Sequence, residues 1–119
     1  MAVEFQTKKE CAERAEAYLR RERSIDTPAN GINAFIKNEQ YKYGRSLNTC
    51  LLYFEEVEID SGTTYNIIDT LTSRKIYYYV SLKDPSAQQS FDALCKSSEG
   101  CLSQADFKEK RAELFDGLD

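Results

Sequence analysis

The chain has no histidine, and its five glycines are scattered singly. Without imidazole there is no Ser-His-Asp or Cys-His arrangement to activate a nucleophile. No serine is followed three residues later by lysine, and isolated glycines do not make a phosphate-cradling loop. No stretch approaches the roughly 20 apolar residues of a membrane span, and Met1 to Lys9 lack the apolar centre of a signal peptide. Export stays open on this reading, because targeting segments are removed from mature chains. No cofactor is implied.

What is present describes one small folded unit. The 119 residues fit a single domain, 1–119, with 41% apolar and 30% charged residues, enough to bury a real core. The formal charge is -4, which repels phosphate backbones and anionic membranes, so nucleic acid is not an expected partner. Cys11, Cys50, Cys95 and Cys101 are even in number and form no Cys-x-x-Cys spacing. With histidine absent, disulfides are a better reading than zinc, and they favour an extracytoplasmic (periplasmic or secreted) protein over a cytoplasmic one. Three connectivities are open.

Thr7-Lys8-Lys9-Glu10 has capping-box form, and Cys11, Ala12, Ala15, Tyr18 and Leu19 follow at helical spacing, predicting a helix from there to about Arg23. Pro28 and Asn30-Gly31 place a connector over Ser24 to Asn33. From Tyr41 the period becomes two, and three strands are predicted: Asn48 to Ile59, Thr63 to Leu71 and Lys75 to Leu82. A three-residue turn at Asp60-Ser61-Gly62 pairs Tyr53 with Asp69, and a two-residue link at Ser73-Arg74 pairs Tyr78 with Asp69. One core face then carries Leu51, Tyr53, Val57, Ile59, Tyr65, Ile67, Leu71, Ile76, Tyr78, Val80 and Leu82. Asp84-Pro85 starts a second helix that runs toward Gly100, and Ser103 caps a third running toward Gly117. The expected fold is α+β, a three-stranded antiparallel meander flanked by an N-terminal helix and two C-terminal helices.

Few strings carry chemistry. Asp60-Ser61-Gly62-Thr63-Thr64 resembles the segment around the catalytic carboxylate of aspartic proteases, which implies a dimer supplying a second carboxylate; as turn chemistry it needs no such role. Tyr53, Asp69 and Tyr78 stack in one row in the expected register, a polar cluster that fixes register or lets Asp69 act as a base. Tyr77-Tyr78-Tyr79 lacks the basic residues and the signature of RNA-binding sheets.

Tyr43-Gly44-Arg45-Ser46-Leu47-Asn48-Thr49-Cys50-Leu51, after Glu10-Cys11-Ala12 on a helix, resembles a pattern in small bacterial proteins of uncharacterised function, often exported. That resemblance implies export and a Cys11–Cys50 link. A helix covering Leu52 and Phe54 points to the same bond, leaving Cys95 to pair with Cys101. The expected function is a non-enzymatic accessory or protein-binding domain. The alternatives are a small hydrolase using Asp60 or Asp69, and a structural subunit of a larger assembly. The expected docking surface, for an unknown protein or a homodimer, is Ile68, Tyr77 and Tyr79, rings that a narrow N-terminal helix leaves uncovered.

Overall fold

The computed structural model describes residues 2–25, 34–44 and 49–116. The expected connector around Pro28 and Asn30-Gly31, residues 45–48 of the Tyr43–Leu51 pattern and the approach to Gly117 lie outside the described residues. The order is α1 (Ala2–Ile25), β1 (Ala34–Gly44), β2 (Thr49–Glu58), β3 (Gly62–Asp69), β4 (Arg74–Leu82), α2 (Pro85–Cys95) and α3 (Gln104–Arg111), which continues as a π-helical turn over Ala112–Asp116. The fold is α+β, and its sheet is an antiparallel meander in the order β1-β2-β3-β4.

The sheet has four strands where three were expected. β1 escapes a period-two reading because it slips register between Lys37 and Gln40. Asn38 takes a left-handed φ of 57° there, as β-bulges in asparagine permit. Before the bulge Ile36 packs toward α1; after it, Gln40 and Lys42 reach the opposite face, to Arg111 and the Phe115 carbonyl. Alternation that changes phase midway does not look like a strand in sequence. At the other end of the chain, α1 begins at Ala2, so residues 7–10 lie inside the helix rather than opening it.

Both hairpins close differently from expectation. Glu58 pairs with Gly62, so the first turn is Ile59-Asp60-Ser61, closed by Ser61 N–H donating to the Glu58 carbonyl at 3.1 Å. Gly62 belongs to the strand: at φ 152°, a Cβ there would lie 2.0 Å from the Ser81 carbonyl oxygen. This moves the pairing by two residues, so Tyr53 faces Ile67 instead of Asp69, and side chains keep their faces. The second turn has four residues, Thr70 to Ser73, between paired Asp69 and Arg74. Thr70 anchors it by donating twice to the Cys50 carbonyl, and Ser73 supplies a left-handed φ of 56°. A further bulge opposite Ile67/Ile68 makes the net shift odd, and an odd shift exchanges faces. Tyr77 and Tyr79 therefore sit beside Ile67 and Tyr65, while Tyr78 and Val80 pair with Asn66 and Thr64 on the other side.

Two cores result. On one face, Ala15 and Leu19 of α1 pack on Leu52, Phe54 and Ile68, with Tyr18 and Ile36 at the margin. Cys11, one turn before Ala15, bonds Cys50 in this layer, and both are 2–3% exposed. On the other face, Phe107 and Phe115 pack on Leu51, Tyr53 and Ile67, ringed by Tyr65, Ile76, Tyr77, Tyr79, Leu102 and Leu114. Ile59 and Leu71, placed in the core by the sequence, are exposed at the hairpin ends.

The second helix starts where expected and stops short of Gly100. Asp84 caps α2 by accepting from Ser86 N–H, and Pro85 opens it, but α2 ends at Cys95 and has no buried residue. Leu94 is 67% exposed. Cys95 bonds Cys101 just beyond the helix. Among the described residues no helix is long and apolar enough to cross a membrane.

Candidate functional site

A cleft of about 220 Å³ lies on the aromatic face, between β2, β3 and β4 below and α3 above. Tyr53, Glu55, Tyr65 and Tyr79 form its sheet side; Gln104, Phe107, Lys108 and Arg111 form its helix side. Those four α3 positions recur at three and four residues, so one helical stripe faces the sheet. Ser103 fixes the start of that stripe, its hydroxyl accepting from Asp106 N–H at 3.2 Å.

Glu55 is the unusual member. It follows Leu51 and Tyr53 on the inward row of β2, and it is 9% exposed. A buried carboxylate needs hydrogen-bond donors. The Tyr53 hydroxyl donates to its Oε2 at 2.6 Å, and Asn38 Nδ2 donates to the same oxygen at 3.2 Å. The β1 bulge thus has a use, since it turns Asn38 toward this oxygen. Arg111 lays its guanidinium 3.8 Å from the centre of the Tyr53 ring, a cation–π contact, and donates to Gln40 Oε1 at 3.4 Å. Tyr65 and Tyr79 stack with centroids 5.8 Å apart, and Tyr65 also meets Phe107 at 6.2 Å.

Burial, then the hydrogen bond to Glu55, pushes the Tyr53 phenol well above its ordinary value, against the opposing pull of Arg111. Burial and the Glu55 charge also raise Tyr65. Both phenols keep their protons at neutral pH. The Tyr53 phenol donates to Glu55 Oε2, so donor and acceptor satisfy each other at that oxygen.

The residues singled out in the sequence scatter. Tyr53 and Asp69 share a face but not a contact: Asp69 Oδ1 accepts from the Thr49 hydroxyl and from Leu71 N–H, holding the second turn. Tyr78 lies on the opposite face beneath the Lys75 ammonium, 5.2 Å from its ring centre. The expected cluster of Tyr53, Asp69 and Tyr78 is not assembled. Asp60 stands exposed at the first hairpin tip. Ile68 is fully buried under α1, on the other side of the sheet from Tyr77 and Tyr79, which are half-buried near α3. The three do not form one surface. Among the described residues no group of three or more His, Cys, Asp and Glu side chains is placed to hold a metal.

Sequence reasoning passed over Glu55, Tyr65 and Arg111 as a group. A signal was present: the inward row Leu51, Tyr53, Val57 skips position 55, where a carboxylate interrupts an apolar series. Buried charges mark sites or networks. Arg111 and Phe107 gave only helical periodicity, and nothing local says which ring a guanidinium will cover. No family model, curated protein or solved structure matches the chain.

Proposed function

We propose that this chain is a non-enzymatic binding domain that works in an oxidising, extracytoplasmic compartment and takes its ligand in the cleft between the Tyr65–Tyr79 pair and α3. One observation carries the reading: the buried Glu55 carboxylate has its Oε2 filled by Tyr53 and Asn38, while half-buried rings and three polar α3 side chains remain around the opening. Aromatic walls with a few fixed polar groups suit recognition. The two disulfides support the compartment. The Asp69 carboxyl is occupied as a turn anchor, and Asp60 has turn chemistry to perform.

Amide NMR of the labelled protein, titrated with end-blocked tetrapeptides carrying central Glu, Lys, Tyr or Leu, tests this. Saturable shifts centred on Glu55, Tyr65, Tyr79, Gln104 and Arg111 are expected from at least one peptide. Shifts centred elsewhere, or none from any peptide, remove the cleft as the seat. Casein cleavage at acidic pH that disappears in Asp60→Asn would replace the binding reading with the hydrolase one.

A further inference from the structure

The Glu55 carboxylate is satisfied at one oxygen only. Tyr53 and Asn38 both donate to Oε2. Among the described residues Oε1 has no donor, and Glu55 takes part in no ion pair. Nor is Oε1 sealed in. The one occluded side-chain oxygen without a partner among the described residues is Asn66 Oδ1, so Glu55 Oε1 keeps an opening to the cleft that Glu55 lines.

A carboxylate 9% exposed is costly without a countercharge. The two cations of the cleft do not supply it. Arg111 is spent on the Tyr53 ring and on Gln40, and Lys108 stands exposed on the helix side. Around the open oxygen the walls are rings. Tyr65 stacks on Tyr79 and meets Phe107, and Phe107 meets Tyr53 with centroids 6.2 Å apart. Aromatic faces attract a cation within about 6 Å of the ring centre, and this wall already holds one, the Arg111 guanidinium 3.8 Å from the centre of Tyr53. The unpaired charge is felt at the rim as well: after burial, Glu55 is the next cause that raises the Tyr65 phenol.

We infer that the cleft takes a primary alkylammonium, the group that ends a lysine side chain, donating one N–H to Glu55 Oε1 with its stem against Tyr65 and Phe107. The inference rests on the cleft being the binding seat, as proposed above. An anionic group would meet the Glu55 charge. A phenol would donate but leave the buried charge unpaired, and an apolar group would shut Oε1 off from water with no donor at all. A quaternary ammonium suits rings but has no N–H to give. A primary ammonium brings charge and donor together on a slim stem, which a space of about 220 Å³ admits. Lys108 opposes it, though an exposed charge acts through solvent and is screened by salt.

The test is amide NMR titration of the whole chain with both disulfides intact. The end-blocked lysine tetrapeptide is compared with its norleucine and Nε-acetyl-lysine counterparts, and n-butylammonium with n-butyltrimethylammonium. Each primary ammonium should bind on the order of tenfold more tightly, or better, than the counterpart lacking its charge or its N–H. A lysine peptide that binds more tightly than n-butylammonium identifies a peptide partner, and the reverse order identifies a free amine. Glu55→Gln keeps an acceptor for Tyr53 but turns an amide N–H toward the ammonium, and should abolish saturable binding. Should that variant not fold, Lys108→Glu on the exposed side of α3 decides: at low salt it should tighten the lysine peptide by about threefold or more, and unchanged or weaker binding overturns the inference. Equal affinity for lysine and norleucine peptides, or for the two butylammonium ions, overturns it too. Saturation by the Glu, Tyr or Leu peptide with none by lysine keeps the cleft as a seat and overturns the ammonium alone; silence from every ligand removes both.

Discussion

The two faces of the sheet are built from different materials and hold for different reasons. The α1 face is largely aliphatic, with one ring pair and a disulfide inside it: Ala15 and Leu19 over Leu52, Phe54 and Ile68, Tyr18 against Phe54, and Cys11–Cys50 at the same level. The α3 face is aromatic and carries a buried carboxylate: Phe107 and Phe115 over Tyr53, with Tyr65 and Tyr79 beside Glu55. Aliphatic packing is indifferent to pH and offers a ligand no handle. Rings with polar tips, gathered around a charge, offer both stacking and hydrogen bonds. On the reading proposed above, the first face is scaffold and the second offers the cleft.

The comparison is sharpest where one face's fastening is removed. Cys11–Cys50 closes a separation of 39 residues and Cys95–Cys101 one of 6. By loop-closure entropy the first is worth about 4 kcal/mol and the second about 2 kcal/mol. Calorimetry of Cys11→Ala/Cys50→Ala against Cys95→Ala/Cys101→Ala should show the larger loss of melting temperature in the former. Equal losses would mean that α1 is held by its apolar stripe alone.

On the α3 face, Tyr53→Phe leaves the ring and removes the donor to a buried carboxylate, which should destabilise the protein by about 1–3 kcal/mol in denaturant titrations at neutral pH. The variant also carries a pH signature. The Tyr53 phenol is raised above its unfolded value, so the folded state holds that proton more tightly. Its contribution is complete below about pH 10, the ordinary tyrosine value, and is lost as pH rises through the folded value. The stability of the parent should therefore fall faster than that of Tyr53→Phe above about pH 10. Parallel alkaline limbs would break the assignment of Tyr53 as a locked donor.

The smallest effect belongs outside both cores. Leu94 is the most exposed large hydrophobic among the described residues, so Leu94→Ser should change stability by no more than about 0.5 kcal/mol at the surface of α2. A drop comparable to that of Tyr53→Phe would show α2 to be packed rather than clasped.

The lessons about legibility lie in particular residues. Helical spacing in Cys11, Ala15 and Leu19 made α1 and its buried stripe readable, and Asp84-Pro85 and Ser103 marked where α2 and α3 begin. The need to cover Leu52 and Phe54 led to the Cys11–Cys50 bond that the structure contains. β1 stayed hidden because its bulge at Asn38 reverses the inward parity halfway along. Tyr77 and Tyr79 were assigned to the wrong side because the bulge opposite Ile67/Ile68, which makes the shift odd, leaves no mark in the local pattern of β4.

By itself the sequence determined the class of fold, the order of most elements and the lack of histidine; the cysteine pairing it only suggested, and the structure settled it. These rest on local periodicity, caps and composition, which neighbouring residues carry among themselves. The tertiary structure alone decided the registers of β1 and β4 and the docking of α3, and with the first and last of these the meeting of Glu55, Tyr53, Asn38 and Arg111. A single residue added by a bulge, as at Asn38 and opposite Ile67/Ile68, exchanges the side chains beyond it between the faces of a strand, and which residue bulges is settled by the neighbouring strand rather than by the local sequence.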